Sequence, residues 1–250
     1  MSSAEQALHR RTGLACEAAV GAGLAGRFRV WDEAGLLAVL VSDPALRFLS
    51  TVSGVTREGV PAAIALAGAA IWDGVQPTVV VSAQLDEAEE TAFLEAGWVR
   101  GNDRGLAIRT LEQDPATSIP ADVVDAGEDS AVFRQVLLAG YEVEATVAAF
   151  IEAEHRLPTV RRFLAVEERV PIAAAAMTIH GRVAVLGGAS TPRAHRGKGG
   201  QTRLIQHRLR VAAEAGCTLA VATAHPGSVS ATNLRRAGFR VQRRSAWTKP

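Results

Sequence analysis

Lysine is almost missing from this 250-residue chain: Lys198 and Lys249 are the two among 27 basic residues, and the rest are arginine. With 26 acidic residues the formal net charge is +1, which excludes the broad basic surface of a general nucleic-acid binder. Cysteine is equally scarce. Cys16 and Cys217 lie in opposite halves, far from any CxxC spacing, so neither a disulfide framework nor a zinc site is expected and no metal is assigned. No apolar run is long enough to span a bilayer, and Met1 is not followed by a charged segment and an apolar stretch. The expectation is a cytoplasmic protein with no membrane and no nucleic-acid partner.

What remains is an ordinary globular composition, 48% hydrophobic and 21% charged, long enough for two domains of roughly 100–150 residues that each bury a core. The stretch Pro115 to Pro120, with Thr117 and Ser118 between, has linker composition and sets the expected domains at 1–114 and 121–250. In the first half, apolar spacing predicts a helix over 3–20, strands over 27–31, 36–41 and 46–52, a helix over 61–72, a strand over 78–82, a helix over 86–96 and a strand over 97–108. In the second half it predicts a strand over 121–125 and helices near 130–139 and 144–154. An antiparallel meander over 162–166, 172–179 and 183–190 follows, with turns at Glu167-Glu168-Arg169 and His180-Gly181-Arg182. A glycine-rich turn then leads into a helix over 200–215, a strand over 218–224, a helix over 228–237 and a last strand over 239–247. Glu95-Ala96-Gly97-Trp98 and Arg236-Ala237-Gly238-Phe239 stand 141 positions apart, and the same offset lays Val79–Val81 on Ala220–Ala222. That regularity predicts two copies of one fold.

The turn between meander and helix carries the chemistry. Gly197, Gly199 and Gly200 lack the Cβ atoms that would keep an anion from the backbone amides, and the first turn of the next helix points its free N–H groups and its positive dipole end the same way. Arg196 and Lys198 add full charges, so the motif describes a pyrophosphate cradle. It is not a P-loop, because Lys198 is followed by Gly199-Gly200 and not by Ser or Thr. It is not a dinucleotide fingerprint either, because an antiparallel meander precedes it.

The order meander, Arg196-Gly-Lys-Gly-Gly-Gln201, helix, strand, helix ending Ala237-Gly238-Phe239 and strand resembles the GCN5-related N-acetyltransferases over roughly residues 121–249. Arg196, Gly199 and Gln201 fall on the family pattern Q/R-x-x-G-x-G/A, with Gln201 a departure at the last position. The resemblance implies an α/β fold with a mixed, mostly antiparallel sheet flanked by helices, here in tandem, and acetyl-CoA or another acyl-CoA as co-substrate. It places Arg196, Gly197, Lys198, Gly199, Gly200 and Gln201 on the pyrophosphate, the backbone of Ala189, Ser190 and Thr191 along the pantetheine arm, and Asn233 on CoA or the reacting group. Gly187-Gly188 just before fits a bulge or close backbone approach.

Acyl transfer to an amine needs a base for the amine and an acid for the thiolate. The family's tyrosine acid falls on Leu234 here, so Asn233, Ser230, Tyr141, Glu142, Glu144, the pair Glu154-His155 and His225 are the candidates, with Glu144, Tyr141 and Asn233 placed first. The first half has Ser53-Gly-Val-Thr-Arg-Glu-Gly59 where the cradle would fall, with an acid in it, and is expected to wall the acceptor site without binding CoA. The expected activity is N-acylation of a small-molecule amine by a monomer or homodimer. A peptide N-terminus as acceptor, a non-catalytic CoA sensor, and transfer from aminoacyl-tRNA are the competing readings; the near-neutral charge argues against the last.

Overall fold

The computed structural model describes residues 2–82, 84–111, 122–127 and 130–250. The expected linker at Pro115–Pro120 and the first residue of the expected 121–125 strand lie outside the described residues. The chain begins with α1 (Ser3–Gly21), started by the Ser2 side chain accepting from the Glu5 amide. A hairpin follows, β1 (Phe28–Glu33) against β2 (Leu36–Val41), then β3 (Thr51–Val55), α2 (Val60–Ala67), β4 (Thr78–Val81), α3 (Glu87–Glu95), β5 (Val99–Arg100) and β6 (Arg104–Thr110). The second half contains β7 (Val123–Asp125), α4 (Ala131–Tyr141), α5 (Ala145–Arg156), the meander β8 (Arg161–Glu167), β9 (Val170–His180) and β10 (Val183–Ser190), then α6 (Gly200–Glu214), β11 (Leu219–Ala224), α7 (Val229–Arg236) and β12 (Arg240–Thr248). No helix among the described residues is long and apolar enough to cross a membrane, and no cluster of three or more metal-binding side chains is found among them.

Three expectations need correction. The stretch predicted as a strand over 46–52 is mostly a 3-10 turn at Pro44–Leu49: Asp43 caps it through the Ala45 amide and Pro44 supplies the fixed φ of a first helical residue. The helix expected over 61–72 ends at Ala67, with a separate 3-10 turn at Ala70–Trp72. The strand expected over 97–108 is broken between β5 and β6.

The sheet has the order β1-β2-β3-β4-β12-β6-β11-β10-β9-β8-β7, with β5 attached to β12. It is antiparallel except at β3/β4 and β10/β11. Each half therefore repeats one plan, two antiparallel pairings and then a parallel pairing across a helix, over β1-β2-β3-β4 in the first and β8-β9-β10-β11 in the second, where β7 adds a further antiparallel strand at the edge. The last strands are exchanged at the centre. β6 from the first half pairs with β11 of the second, and β12 from the second pairs with β4 of the first, while β6 and β12 pair with each other. The turns before these strands match at the predicted offset of 141. Trp98 N–H bonds Phe93 O at 2.9 Å with Gly97 at φ 77°, and Phe239 N–H bonds Leu234 O at 3.0 Å with Gly238 at φ 80°. Both are glycine-terminated helix ends that close the last carbonyls.

Helices cover both faces. On one, α6 and α7 bury Leu204, Ile205, Leu209 and Leu234 against Phe163, Ala173, Ala175 and Met177, each large side chain contributing about 1.5–3 kcal/mol when fully buried. On the other, α4 packs Phe133 and Leu137 on Ala174 and Ala176. Alanine fills β9 from 173 to 176, all fully buried, so helices approach it closely on both sides. α1 runs across the exchange: its start packs on Val183, Val185 and Val221 and its end on Val39 and Val41.

Candidate functional site

β10 and β11 run side by side only through Leu186↔Ala222. Beyond that point β11 continues along β6 through Ala224↔Gly105, while β10 carries a bulge between Gly187 and Ser190 in its pairing with β9. The two strands thus part, leaving a notch with Gly187–Ser190 on one lip and Thr223–Ala224 on the other. Both bulge glycines are required by their neighbours. A Cβ on Gly188, which sits at φ 58°, would lie 2.0 Å from His155 Nε2, and one on Gly187 would lie 2.5 Å from Arg11 Nη1.

The polypeptide after the notch makes the expected glycine-rich turn into a helix. Thr191 and Pro192 lead into a short 3-10 turn, then Gly197 at φ 81° and Gly199 at φ 75° turn the chain into α6. Gly199 is the N-cap, so no side chain occupies the first-turn amides of Gly200 and Gln201. Gly200 is buried against Ala173, where an added Cβ would come within 3.0 Å. The cations flank the turn: Arg196 is exposed and donates from Nε to Thr191 O at 3.3 Å, and Lys198 Nζ meets Glu167 at 2.6 Å. Arg203 donates to the Lys198 carbonyl at 3.2 Å and holds the turn from within the helix.

On the sheet face carrying α1, α4 and α5, the notch opens into a cavity of about 480 Å³. Its walls come from both halves: Thr51, Ser53 and Val80 from the first, Tyr141, His155 and Thr223 from the second. Arg11 of α1 spans it, bonding Glu154 at 2.8 Å and the Val185 carbonyl at 3.3 Å. Removing either member of that pair would strand a buried charge, a cost of about 3–5 kcal/mol. Burial pushes the Glu154 carboxyl up, but Arg11 and His155 outweigh it and hold the group below the ordinary carboxylate range.

His155 is 1% exposed. Its Nδ1 lies 2.7 Å from the Ile151 carbonyl, which only accepts, so the proton sits on Nδ1 and Nε2 carries a lone pair. That Nε2 has no hydrogen-bond partner and faces Gly188. Burial pushes the imidazole pKa below its ordinary value despite the pull of Glu154, so the ring is neutral at neutral pH. Its backbone is fixed by Arg162, whose guanidinium takes the carbonyls of His155 and Leu157 at 2.8 and 3.0 Å.

Tyr141, the last residue of α4, meets the bulge from the same side. Burial, then Glu154, pushes the phenol pKa up against the opposing pull of Arg11, the Ala189 backbone and Arg208, so the hydroxyl keeps its proton. α4 can come this close because Gly140 has no Cβ, which would lie 2.5 Å from Ser190 Oγ; that hydroxyl donates to Leu137 O at 2.7 Å.

The residues singled out by sequence fall into three groups. Ala189 and Ser190 end β10 with Thr191 directly after it, and Arg196 through Gln201 form the glycine-rich turn and helix start beside it. Tyr141 lines the cavity together with Glu154 and His155. Glu144 is an exposed N-cap of α5 and Asn233 is half-buried on α7; neither lines the cavity. Leu234, at the position of the missing tyrosine, is 3% exposed in the core. His225 is exposed, with Nδ1 2.8 Å from Pro226 O. Arg11 carried no local signal, because its role exists only once α1 lies across β10.

Residues 131–239 match the model of the Acetyltransferase (GNAT) family. No curated protein matches the chain. Among solved structures the chain is similar to a GCN5-related N-acetyltransferase from Kribbella flavida, at 22% identity over 95% of each chain with a TM-score of 0.60. It is also similar to a GNAT-family acetyltransferase from Colwellia psychrerythraea, at 14% identity over 89% of this chain and 85% of that one, TM-score 0.58. A tandem GNAT protein from the clavulanic acid biosynthesis pathway aligns at 17% identity over 89% and 78%, TM-score 0.52. The second half thus carries a GNAT acetyltransferase domain, and the chain as a whole has the fold of these proteins.

Proposed function

We propose that the chain transfers an acetyl or short acyl group from acyl-CoA to the amine of a small molecule, with the notch between β10 and β11 as the reaction site. The observation that carries this reading is that notch: it ends at a glycine-built helix N-terminus on one side and opens onto a buried imidazole whose Nε2 has no hydrogen-bond partner on the other. The residues fit acyl-CoA. Arg196, Lys198 and the amides of Gly199, Gly200 and Gln201 would hold the pyrophosphate, and the backbone of Ala189, Ser190 and Thr191 would hold the pantetheine arm. Asn233 on α7 belongs with the cofactor side. When bound, acyl-CoA supplies the thioester carbon that the amine attacks.

The chain's own groups divide the proton work. An ammonium must lose a proton before it can attack, and His155 Nε2 is a neutral acceptor facing the bulge. Glu154 and Arg162 position that ring, one by charge and one through its backbone. With Leu234 unable to act, Tyr141 is the proton donor on the α4 side, its hydroxyl kept protonated by burial. Glu144, out on the surface, contributes only at the start of α5. The same reading keeps units of 1–114 and 121–250 as two copies that have exchanged their last strands, the first walling the acceptor site. It also keeps a cytoplasmic setting, no nucleic-acid or membrane partner, and a monomer or homodimer.

The test is thiol release from acetyl-CoA across a panel of small amines, beside calorimetric binding of acetyl-CoA. Turnover on a small amine is expected. Binding with no acetylated amine would replace this reading by a sensor, and acetylation of peptide N-termini alone would replace the small-molecule acceptor.

A further inference from the structure

Two arginines face each other where the halves exchange strands. Arg104 opens β6, and Arg244 is its direct partner on β12. Both line the cavity that also holds His155 and Gly188. Like charges directly opposed on neighbouring strands repel, and burial withholds the water that would screen them. Arg244 is 7% exposed, and its Nε has no hydrogen-bond partner. Its Nη1 reaches Glu5 Oε1 at 3.4 Å, an oxygen that also contacts the Ser82 hydroxyl. For Arg104 the contact among the described residues is the Thr78 hydroxyl, at 3.5 Å.

Charge accounting around the cavity leaves one cation over. Glu154 is matched by Arg11 at 2.8 Å and Glu5 by Arg244 at 3.4 Å, while Arg104 faces no carboxylate among the described residues. Burial, then the Arg244 charge, holds the Arg104 guanidinium below its ordinary basicity, and burial does the same at Arg244 against the pull of Glu5. The placement is close to the chemistry: the lip of the notch at Thr223–Ala224 pairs with Leu106–Gly105, so Arg104 stands one residue, roughly 3.4 Å of strand, beyond it.

We propose that Arg104 and Arg244 form a carboxylate subsite, so that the acceptor is an amine bearing a carboxylate, an amino acid or a similar small acid, anchored on the arginine pair with its amine toward His155. Guanidinium forks match carboxylates in two parallel hydrogen bonds, and a bound carboxylate removes the repulsion between the arginines. The inference rests on the acyl-transfer reading of this cavity and deepens it by naming the acceptor class.

The experiment compares α-amino acids with their amides and their decarboxylated amines, in kcat/KM at saturating acetyl-CoA. The acids are expected to lead by about tenfold or more, the scale of a charge-assisted hydrogen bond. Arg104→Gln should collapse that ratio toward one and Arg104→Lys should restore part of it. Relief of the repulsion predicts that the Gln variant melts no lower than the native protein. Should it fail to fold, titration of the native protein with N-acetyl amino acids and their amides decides instead, with the acids again expected to bind about tenfold tighter. Amides and amines as good as the acids, a loss in Arg104→Gln equal for all acceptors, or a preference for phosphoethanolamine over every amino acid would overturn the proposal. If no amine is acetylated, the acyl-transfer reading fails, and the carboxylate titration still reads the arginine pair by itself.

Discussion

The parallel strand pair occurs twice in this molecule and is open in one place and shut in the other. In the second half, β10 and β11 separate after Leu186↔Ala222. In the first half, β3 is also irregular, with Gly54 at φ 76°, yet pairing resumes at Val55↔Val81 and Ser82 N–H bonds Val55 O at 3.2 Å. The turns that follow differ in the same sense. α6 starts from glycines with Arg196 and Lys198 beside it, whereas α2 starts Val60-Pro61, which removes one amide, with Glu58 next to it. Arg57, the basic residue there, is spent on Asp86 and Glu89. A duplicated plan can therefore keep its core and its strand order while a few residues decide which copy has a notch and a glycine-rich helix start.

The largest expected effect is at His155, a buried imidazole on the notch. His155→Gln keeps a polar side chain but removes the lone-pair base, and kcat is expected to fall by about 10²–10⁴-fold with acetyl-CoA affinity retained; steady-state kinetics beside calorimetry check this, and an equal loss of CoA affinity would point to a collapsed notch. Next is the cradle. The double replacement of Arg196 and Lys198 by Ala should weaken acetyl-CoA binding about tenfold, while Arg57→Ala in the first half should leave it unchanged. Glycine replacement comes third. Gly188→Ala and Gly54→Ala both force a side chain into left-handed backbone, about 1–2 kcal/mol each, but only Gly188→Ala also drives into His155 and should cost turnover, so melting curves and rates separate the two.

The smallest effect is that of pH. The folded-state pKa of His155 is depressed from 6.5, with burial the leading cause, so its stabilisation is complete above the unfolded value and is lost as pH falls below about 6.5 toward the folded one. Glu154, also depressed, acts in the same direction at lower pH. Melting temperature should decline on acidification. His155→Gln should flatten that decline only in part, because His9, His180 and His207 are likewise lowered chiefly by burial.

Local signals were legible in the sequence, and long-range ones were not. Alternation in 162–190 and the glycines at 197, 199 and 200 express backbone demands that act within a few residues, so the meander and the cradle followed from them. The repeat at Gly97 and Gly238 was visible because both ends need a left-handed residue. The strand exchange was hidden: nothing in Arg104–Thr110 or Arg240–Thr248 records which neighbour each strand will choose. For the same reason nothing local in the sequence told that Glu144, a charge at a helix start, would stand outside the cavity lining while Val147 of the same helix lines it. Arg11, Arg104 and Arg244 gained their setting only when residues up to 239 positions apart were brought together.

Acyl-CoA is expected at one of the two parallel strand pairs, the one that opens after Leu186↔Ala222. Calorimetric titration of the native chain with acetyl-CoA tests it most directly: the account predicts one molecule per chain, weakened when Arg196 and Lys198 become Ala and untouched in Arg57→Ala. Two molecules per chain, or binding indifferent to Arg196 and Lys198, would contradict it.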